Sequence, residues 1–202
     1  MEIGFNEVEH QYLVNGEVVP SVTQILKTMG VSSIEGIPPE VLERARMFGS
    51  VVHKHCEIVD LDEEDGFEPP PAEVIPCLMA WEQFKEDFKV KVIDVEKRFY
   101  NEKGRYCGTI DRRAMVNGVQ TILDIKTSSS FNPSYAVQLA AYKTDEDKDV
   151  MTVHLFTDGT YTVYGTQKFG KQRKVWIDLA EAQKDWENTL NLFDKFRRKG
   201  TK

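Results

Sequence analysis

Between residues 119 and 126 the chain reads Val-Gln-Thr-Ile-Leu-Asp-Ile-Lys, with apolar side chains filling both faces at its middle. That pattern belongs to an inner strand covered on both sides. Upstream, Gly108-Thr109-Ile110-Asp111 opens a second extended run that reaches Val116 and turns at Asn117-Gly118. Asn-Gly between two extended runs marks a tight hairpin, because both turn residues adopt positive φ. The two strands are therefore expected to be antiparallel neighbours, with Val116 near Val119 and Asp111 near Asp124. Residues 90–100 read as a further strand leading into this pair, with Glu96 among Val92, Ile93 and Val95. On pattern alone Glu96 is as readily an outward residue of a half-exposed strand as a functional one.

The flanking segments follow the same logic. Residues 11–14 and 17–19 around Asn15-Gly16 predict an N-terminal hairpin. Ser21-Val22-Thr23-Gln24 has the form of a capping box for a short helix that Gly30 closes. A longer helix is expected from about Glu40, with Val41, Ala45, Phe48, Val52, Cys56 and Val59 as its core stripe. His53 and Glu57 lie one turn apart on the flank of that stripe. A lone histidine there reads first as a packing residue. The acidic, proline-rich segment 60–71 predicts a surface loop. A packing helix over residues 72–88 follows, burying Val74, Leu78, Trp81, Phe84 and Phe88.

After Lys126, Asn132-Pro133 supplies an N-cap and a proline at the first helical position, and the helix to about Lys143 sets Gln138 and Tyr142 on one face. Residues 150–157 and 160–166 predict a hairpin around Asp158-Gly159. A basic loop and a short strand at 175–177 lead to a last helix, capped at Asp178 and packed through Ala182, Trp186, Leu190 and Phe193.

The order of elements implies an α/β fold, a mixed central β-sheet flanked by helices, with an N-terminal hairpin and a C-terminal helix. The chain has 202 residues, of which 41% are hydrophobic, enough for one domain with a full core. No apolar run is long enough to span a membrane and no basic-then-apolar leader opens the chain, so no membrane association and a cytoplasmic location are expected. Cys56, Cys77 and Cys107 are odd in number and show no close-spaced pair, which points to reduced thiols in or near the core. The net charge of −7 argues against tight non-specific adsorption to nucleic acid. Acid concentrates in residues 60–65 and base in 168–174 and 195–202, each of which reads first as a solvated surface.

Asp124 and Lys126 change the picture. Two residues apart on one strand, their side chains share a face about 7 Å apart along the chain. Burying both is unfavourable unless something there needs them. With Asp111 opposite, two carboxylates meet beside an ammonium, an arrangement that a hard divalent cation with oxygen ligands resolves. Such a set can serve phosphodiester hydrolysis, which needs an activated water and donors for developing negative charge. Neither a phosphate-cradling P-loop nor a Gly-x-Ser-x-Gly elbow occurs.

The motifs Gly108-Thr109-Ile110-Asp111, Asp124-Ile125-Lys126 and Gln138-Leu139-Ala140-Ala141-Tyr142 occur in the order seen in the RecB-like branch of the PD-(D/E)xK nuclease superfamily, which the chain resembles. That branch includes many bacteriophage exonucleases. Phe48-Gly49-Ser50-Val51-Val52-His53 is similar to the branch's histidine-bearing helix, and Val19-Pro20-Ser21-Val22-Thr23 to the entry segment of phage members. The resemblance covers residues 19–142. Ile110 stands where the superfamily's name has proline, and the cysteine cluster of iron-sulfur members is missing, so no iron-sulfur cluster is expected.

The resemblance implies a restriction-endonuclease-like core, built from strands over 90–126 and 150–157 and the helices near Glu40 and Asn132. One nuclease domain would span residues 1–202, with the hairpin and first helix in 1–38, the core in 39–166 and the last strand and helix in 167–202. It further implies that His53, Asp111, Asp124 and the Ile125 carbonyl bind Mg²⁺ or Mn²⁺, and that Glu96 assists there. Lys126 would act with Asp111, Asp124 and Glu96 in catalysis. Gln138 and Tyr142 would contact the nucleic-acid backbone or brace the site, and Glu57 has no assigned role.

The expected activity is that of a metal-dependent DNA exonuclease acting on double- or single-stranded ends in phage or bacterial recombination or repair. A single-strand annealing protein or a helicase would be typical company for the family, and assembly into a homo-oligomer is compatible with it. The rival expectations are a structure-selective or single-strand endonuclease and a non-catalytic binding module on a degenerate nuclease fold.

Overall fold

The computed structural model describes residues 1–7, 9–32, 36–62, 68–166 and 173–199. Among the described residues two sheets and five helices make up the mixed α/β architecture. At the N-terminus β1 (Ile3–Asn6), β2 (Gln11–Val14) and β3 (Glu17–Val19) form an antiparallel three-stranded sheet. The anticipated hairpin thus gains a strand, β1, which at four residues is too short to read as one in the sequence.

The central sheet contains β4 (Lys91–Asn101), β5 (Tyr106–Val116), β6 (Val119–Lys126), β7 (Asp149–Leu155), β8 (Tyr161–Gly165) and β9 (Arg173–Trp176), in that order. The expected hairpin partner β8 extends it beside β7, and the short last strand β9 lies at Arg173–Trp176 where 175–177 is expected. β6 pairs with β7 in parallel, and the connection between them carries α4 (Pro133–Tyr142), the crossover that a parallel pair requires. β8 and β9 are also parallel, and the remaining neighbours are antiparallel.

Helices cover both faces. On one, α2 (Pro39–Leu61) and α3 (Ile75–Asp87) bring Val52, Cys56, Trp81 and Phe84 against Leu123, Ile125, Met151 and Val153. On the other, α1 (Val22–Thr28), α4 and α5 (Leu179–Lys199) bring Ile25, Leu139 and Trp186 against Ile122 and Val150. The parity of β6 explains this division, since odd and even positions of a strand serve opposite layers.

The capping chemistry is as expected. Ser21 and Gln24 form a reciprocal capping box, Asn132 accepts from the Ser134 amide, and Asp178 accepts from the Glu181 amide. The three cysteines are free and buried. Burial raises the Cys107 thiol to about 11, so it stays protonated.

Two expectations need correction. The apolar stripe of α2 is core only from Phe48 onward, since Val41 is 53% exposed and Ala45 is also exposed. Amphipathic spacing fixes which side of a helix is apolar but not how far along it a neighbour extends. Asp60, assigned to a solvated acidic loop, instead lies in the last turn of α2 with a fully buried carboxylate. Residues 63–65 of the acidic run, 168–172 of the first basic run and 200–202 of the second lie outside the described residues. Among the described residues no helix is long and apolar enough to cross a membrane.

Candidate metal centre

Asn117 and Gly118, at φ 49° and 83°, close the β5–β6 hairpin with Val116 opposite Val119. The ladder runs from that pair to Arg112 opposite Leu123. One step further the regular pairing gives way, and Asp111 Oδ2 accepts the Ile125 amide hydrogen at 2.8 Å. A side chain thus takes a donor where the strands part. Beyond this point β5 meets the segment entering α1: the Cys107 amide donates to the Pro20 carbonyl at 2.9 Å, beside a parallel bridge between Ser21 and Cys107.

Asp124 and Lys126 share a face of β6, as their spacing requires, and Lys126 Nζ lies 2.9 and 2.8 Å from the two Asp124 carboxylate oxygens. Burial raises the Asp124 pKa, aided by the nearby Asp111 charge and opposed by Lys126. Burial alone would lower Lys126, but Asp124 and Asp111 outweigh it and hold the ammonium above its ordinary value. The same ammonium sits 4.7 Å from the centroid of the Tyr135 ring, on the first turn of α4.

His53 reaches over from α2. Its Nε2 lies 2.9 Å from the Ile125 carbonyl oxygen, a contact that an N–H at this nitrogen makes. Its Nδ1 is 3.5 Å from Asp111 Oδ2 and 3.9 Å from Glu96 Oε1. Burial depresses the imidazole, but the negative charges of Asp111 and Glu96 outweigh it and raise the pKa. Glu96 stands between the pairs Val95–Arg112 and Lys97–Ile110, hence opposite Asp111, with φ at 46°. A left-handed glutamate within a strand is strained and re-aims its side chain, and such strain concentrates at functional sites.

The geometry therefore brings His53, Glu96 and Asp111 together, each with one donor atom within 4.8 Å of the others. All three side chains are partly open, at 29%, 31% and 13% exposure. Asp124 and the Ile125 carbonyl, expected in the same ligand set, are engaged by Lys126 and by His53. Shared facing along β6 explains the first of these pairings. An imidazole nitrogen with carboxylate oxygens suits Mn²⁺ and, with waters completing the shell, Mg²⁺. Asp124 Oδ2, 2.8 Å from Lys126 Nζ, is buried with no aligned hydrogen-bond donor among the described residues and leaves a further oxygen next to the group. The residues present thus fit a hard divalent cation.

Gln138 and Tyr142 face each other one turn apart, with Gln138 Nε2 donating to the Tyr142 hydroxyl at 2.9 Å. Tyr142 is buried and meets Phe99 edge-on, at 5.5 Å between ring centroids. Gly108 explains its own place in the motif, because a Cβ there would stand 2.7 Å from the Phe99 ring and 2.8 Å from the Tyr142 ring. Gly108→Ala is expected to destabilise the fold by about 1–3 kcal/mol through overpacking. A shift of the urea midpoint reads this, and an unchanged midpoint would show that the rings have room to move. Glu57 pairs with Lys54 at 3.0 Å.

Sequence reasoning missed Arg112 and Asp60. Arg112 is fully buried at an inward position of β5, in phase with Ile110, Ala114 and Val116. A charged residue in that apolar phase was the available signal. Tyr135 and His154 were also missed; His154 is paired with Lys126 in the β6–β7 register, and its Nδ1–H donates to the Ser128 carbonyl at 2.8 Å.

No protein-family model matches the chain, and no curated protein matches it. Among solved structures it is similar to one titled "Crystal structure of SSO0001", at 17% identity over 83% of this chain and 84% of that one, with a TM-score of 0.32. A likeness that faint leaves the site to be judged on its own residues.

Proposed function

We propose that the protein is a divalent-metal-dependent deoxyribonuclease that hydrolyses phosphodiester bonds from DNA ends, acting in the cytoplasm in phage or bacterial recombination or repair. The observation that supports this most is the meeting of Asp111, Asp124 and Lys126 where β5 and β6 part, with His53 and Glu96 brought to the same place from other elements. The resemblance of the three motifs to RecB-like nucleases supports the same reading.

His53, Glu96 and Asp111 would hold Mg²⁺ or Mn²⁺, with Asp124 beside them. When bound, such an ion withdraws charge from a phosphate and lowers the pKa of water. Lys126 Nζ, kept in place by Asp124, can donate a hydrogen bond to the attacking water or to the phosphate oxygen on which charge develops. The water oxygen forms a bond to phosphorus as the ester P–O bond breaks, the leaving oxygen takes up a proton, and the products are a phosphate and a hydroxyl terminus. Tyr142 and Gln138 act as braces behind β5, because the tyrosine is buried against Gly108 and Phe99. The net charge of −7 means that affinity for DNA would come from this locality and its metal rather than from overall charge.

The test is degradation of end-labelled linear double-stranded, linear single-stranded and closed circular DNA with Mg²⁺, Mn²⁺ or EDTA. Metal-dependent loss of the linear substrates alone is expected. Cutting of circles would replace the exonuclease with an endonuclease, and DNA binding without cutting under either metal would overturn the catalytic reading in favour of a binding module.

A further inference from the structure

Directly beneath the cluster lies an ion network that no step of the proposed hydrolysis uses. Arg112 and the Asp60 carboxylate are both fully buried, with Nε of the arginine 2.5 Å from Asp60 Oδ2. Arg112 Nη1 donates to Glu96 Oε1 at 3.2 Å and to the Asp111 carbonyl at 2.5 Å. Asp60 is held from the other side by Trp81 Nε1, at 3.0 and 3.1 Å from its two oxygens, and by Lys85 Nζ at 2.8 Å. Arg112 Nη2 is buried and has no hydrogen-bond partner among the described residues.

Stability does not account for such a network. Replacing buried ion pairs by apolar groups of similar size is often neutral or favourable, so a fully desolvated guanidinium with an unsatisfied N–H is a poor way to fill a core. Its connections suggest a different role. Asp60 follows His53 by seven residues on α2, two helical turns, and so lies on the same side of the helix. Fixing Asp60 to β5 therefore fixes the rotation of α2 that carries His53 to Ile125. The second arm of Arg112 holds the carboxylate of Glu96 on its left-handed backbone, and the same nitrogen steadies the peptide of Asp111. Each of the three clustered residues is thus tied to one guanidinium, which is itself fully buried.

We propose that Arg112 and Asp60 are a positioning pair that sets the spacing of His53, Glu96 and Asp111, and hence the affinity of the site for its divalent cation. This rests on the metal-dependent reading above. Partners that orient ligands from behind typically change metal affinity by about 10- to 100-fold when removed.

The test uses the full chain with Arg112→Met and Asp60→Asn combined. The methionine keeps the apolar stem, and the asparagine still accepts from Trp81. Mn²⁺ binding, followed by the paramagnetic resonance signal of the free ion, and urea unfolding are measured side by side. The expected result is a folded variant whose Mn²⁺ Kd is weakened by about 10- to 100-fold, with DNA cleavage recovering as Mn²⁺ is raised. A folded variant with the wild-type Kd would overturn the proposal and leave the network a packing device.

Should the double variant fail to fold, Arg112→Lys decides the matter. It keeps a buried charge for Asp60 but lacks the fork that reaches Glu96 and the Asp111 carbonyl, so weakened Mn²⁺ binding supports the proposal and unchanged binding overturns it. If the wild-type protein itself binds no Mn²⁺, the functional reading fails first and the positioning role falls with it.

Discussion

Lys126→Ala is expected to lower metal-dependent DNA hydrolysis by about 10³-fold or more, since the ammonium combines proton management with stabilisation of developing charge. Lys126 contacts both oxygens of Asp124, so the variant also strands that carboxylate in a buried position. Leaving a buried acceptor without its partner costs about 1–3 kcal/mol, and a rise in the Asp124 pKa absorbs part of that cost. The protein should remain folded, which a thermal melt by circular dichroism establishes before rates are compared. Lys126→Met, which keeps the aliphatic stem over Tyr135, should be as inactive as the alanine variant. Cleavage within about tenfold of wild type in either variant would remove Lys126 from the chemistry.

Asp147→Ala is expected to produce the largest loss of stability among changes away from the cluster, about 3 kcal/mol at neutral pH. The Asp147 side chain is fully buried and accepts from Arg113 Nε at 2.8 Å, Arg113 Nη2 at 3.2 Å, the Thr144 amide at 3.0 Å, the Thr144 hydroxyl at 2.7 Å and Gln120 Nε2 at 3.2 Å. Arg113 keeps Asp94 at 3.0 Å and some contact with solvent, which places the cost at the lower end of the range for broken buried pairs. Burial pushes the Asp147 pKa up, but the hydrogen bonds from Arg113 and Thr144 outweigh it, and the net shift is downward. Because the folded pKa is the lower one, the contribution is complete above the unfolded value of about 3.9 and is lost as pH falls through the folded value. Urea midpoints of wild type and variant should therefore differ most at pH 7 and converge below about pH 4. A difference that persists undiminished to pH 3 would mean that the loss comes from packing rather than from the carboxylate charge.

What could be read from the sequence was what is local. The Asn117-Gly118 turn sets a register by counting outward, and that count holds from Val116–Val119 to Arg112–Leu123, beyond which Asp111 reaches the Ile125 amide, all without tertiary information. Caps at Ser21, Asn132 and Asp178 are equally local, because each is a contact within three residues. The parts that escaped depend on what lies far away in the chain. Asp60 sits at the edge of an acidic run whose composition suggests solvent, and only the arrival of Arg112, Trp81 and Lys85 makes it an interior residue. The first turns of α2 carry the same apolar spacing as the last, yet the sheet meets only the latter. Glu96 was visible as an acid in an apolar strand, but its left-handed backbone, between the Val95–Arg112 and Lys97–Ile110 pairs, carries no signal in the pattern of residues.

The distances along the chain between the partners at the cluster also order its assembly in time. His53 meets Ile125 across 72 residues and Asp60 meets Arg112 across 52, whereas Asp111 reaches Ile125 across only 14. The hairpin can close early at small entropic cost, but the histidine helix must wait for a much larger loop to be drawn in. On a chain emerging from the ribosome, the cluster stays incomplete until β6 has been synthesised, however well α2 and α3 have already formed. The acidic groups then gain their partners late and together, which makes the maturation of the centre a product of tertiary folding rather than of any one segment.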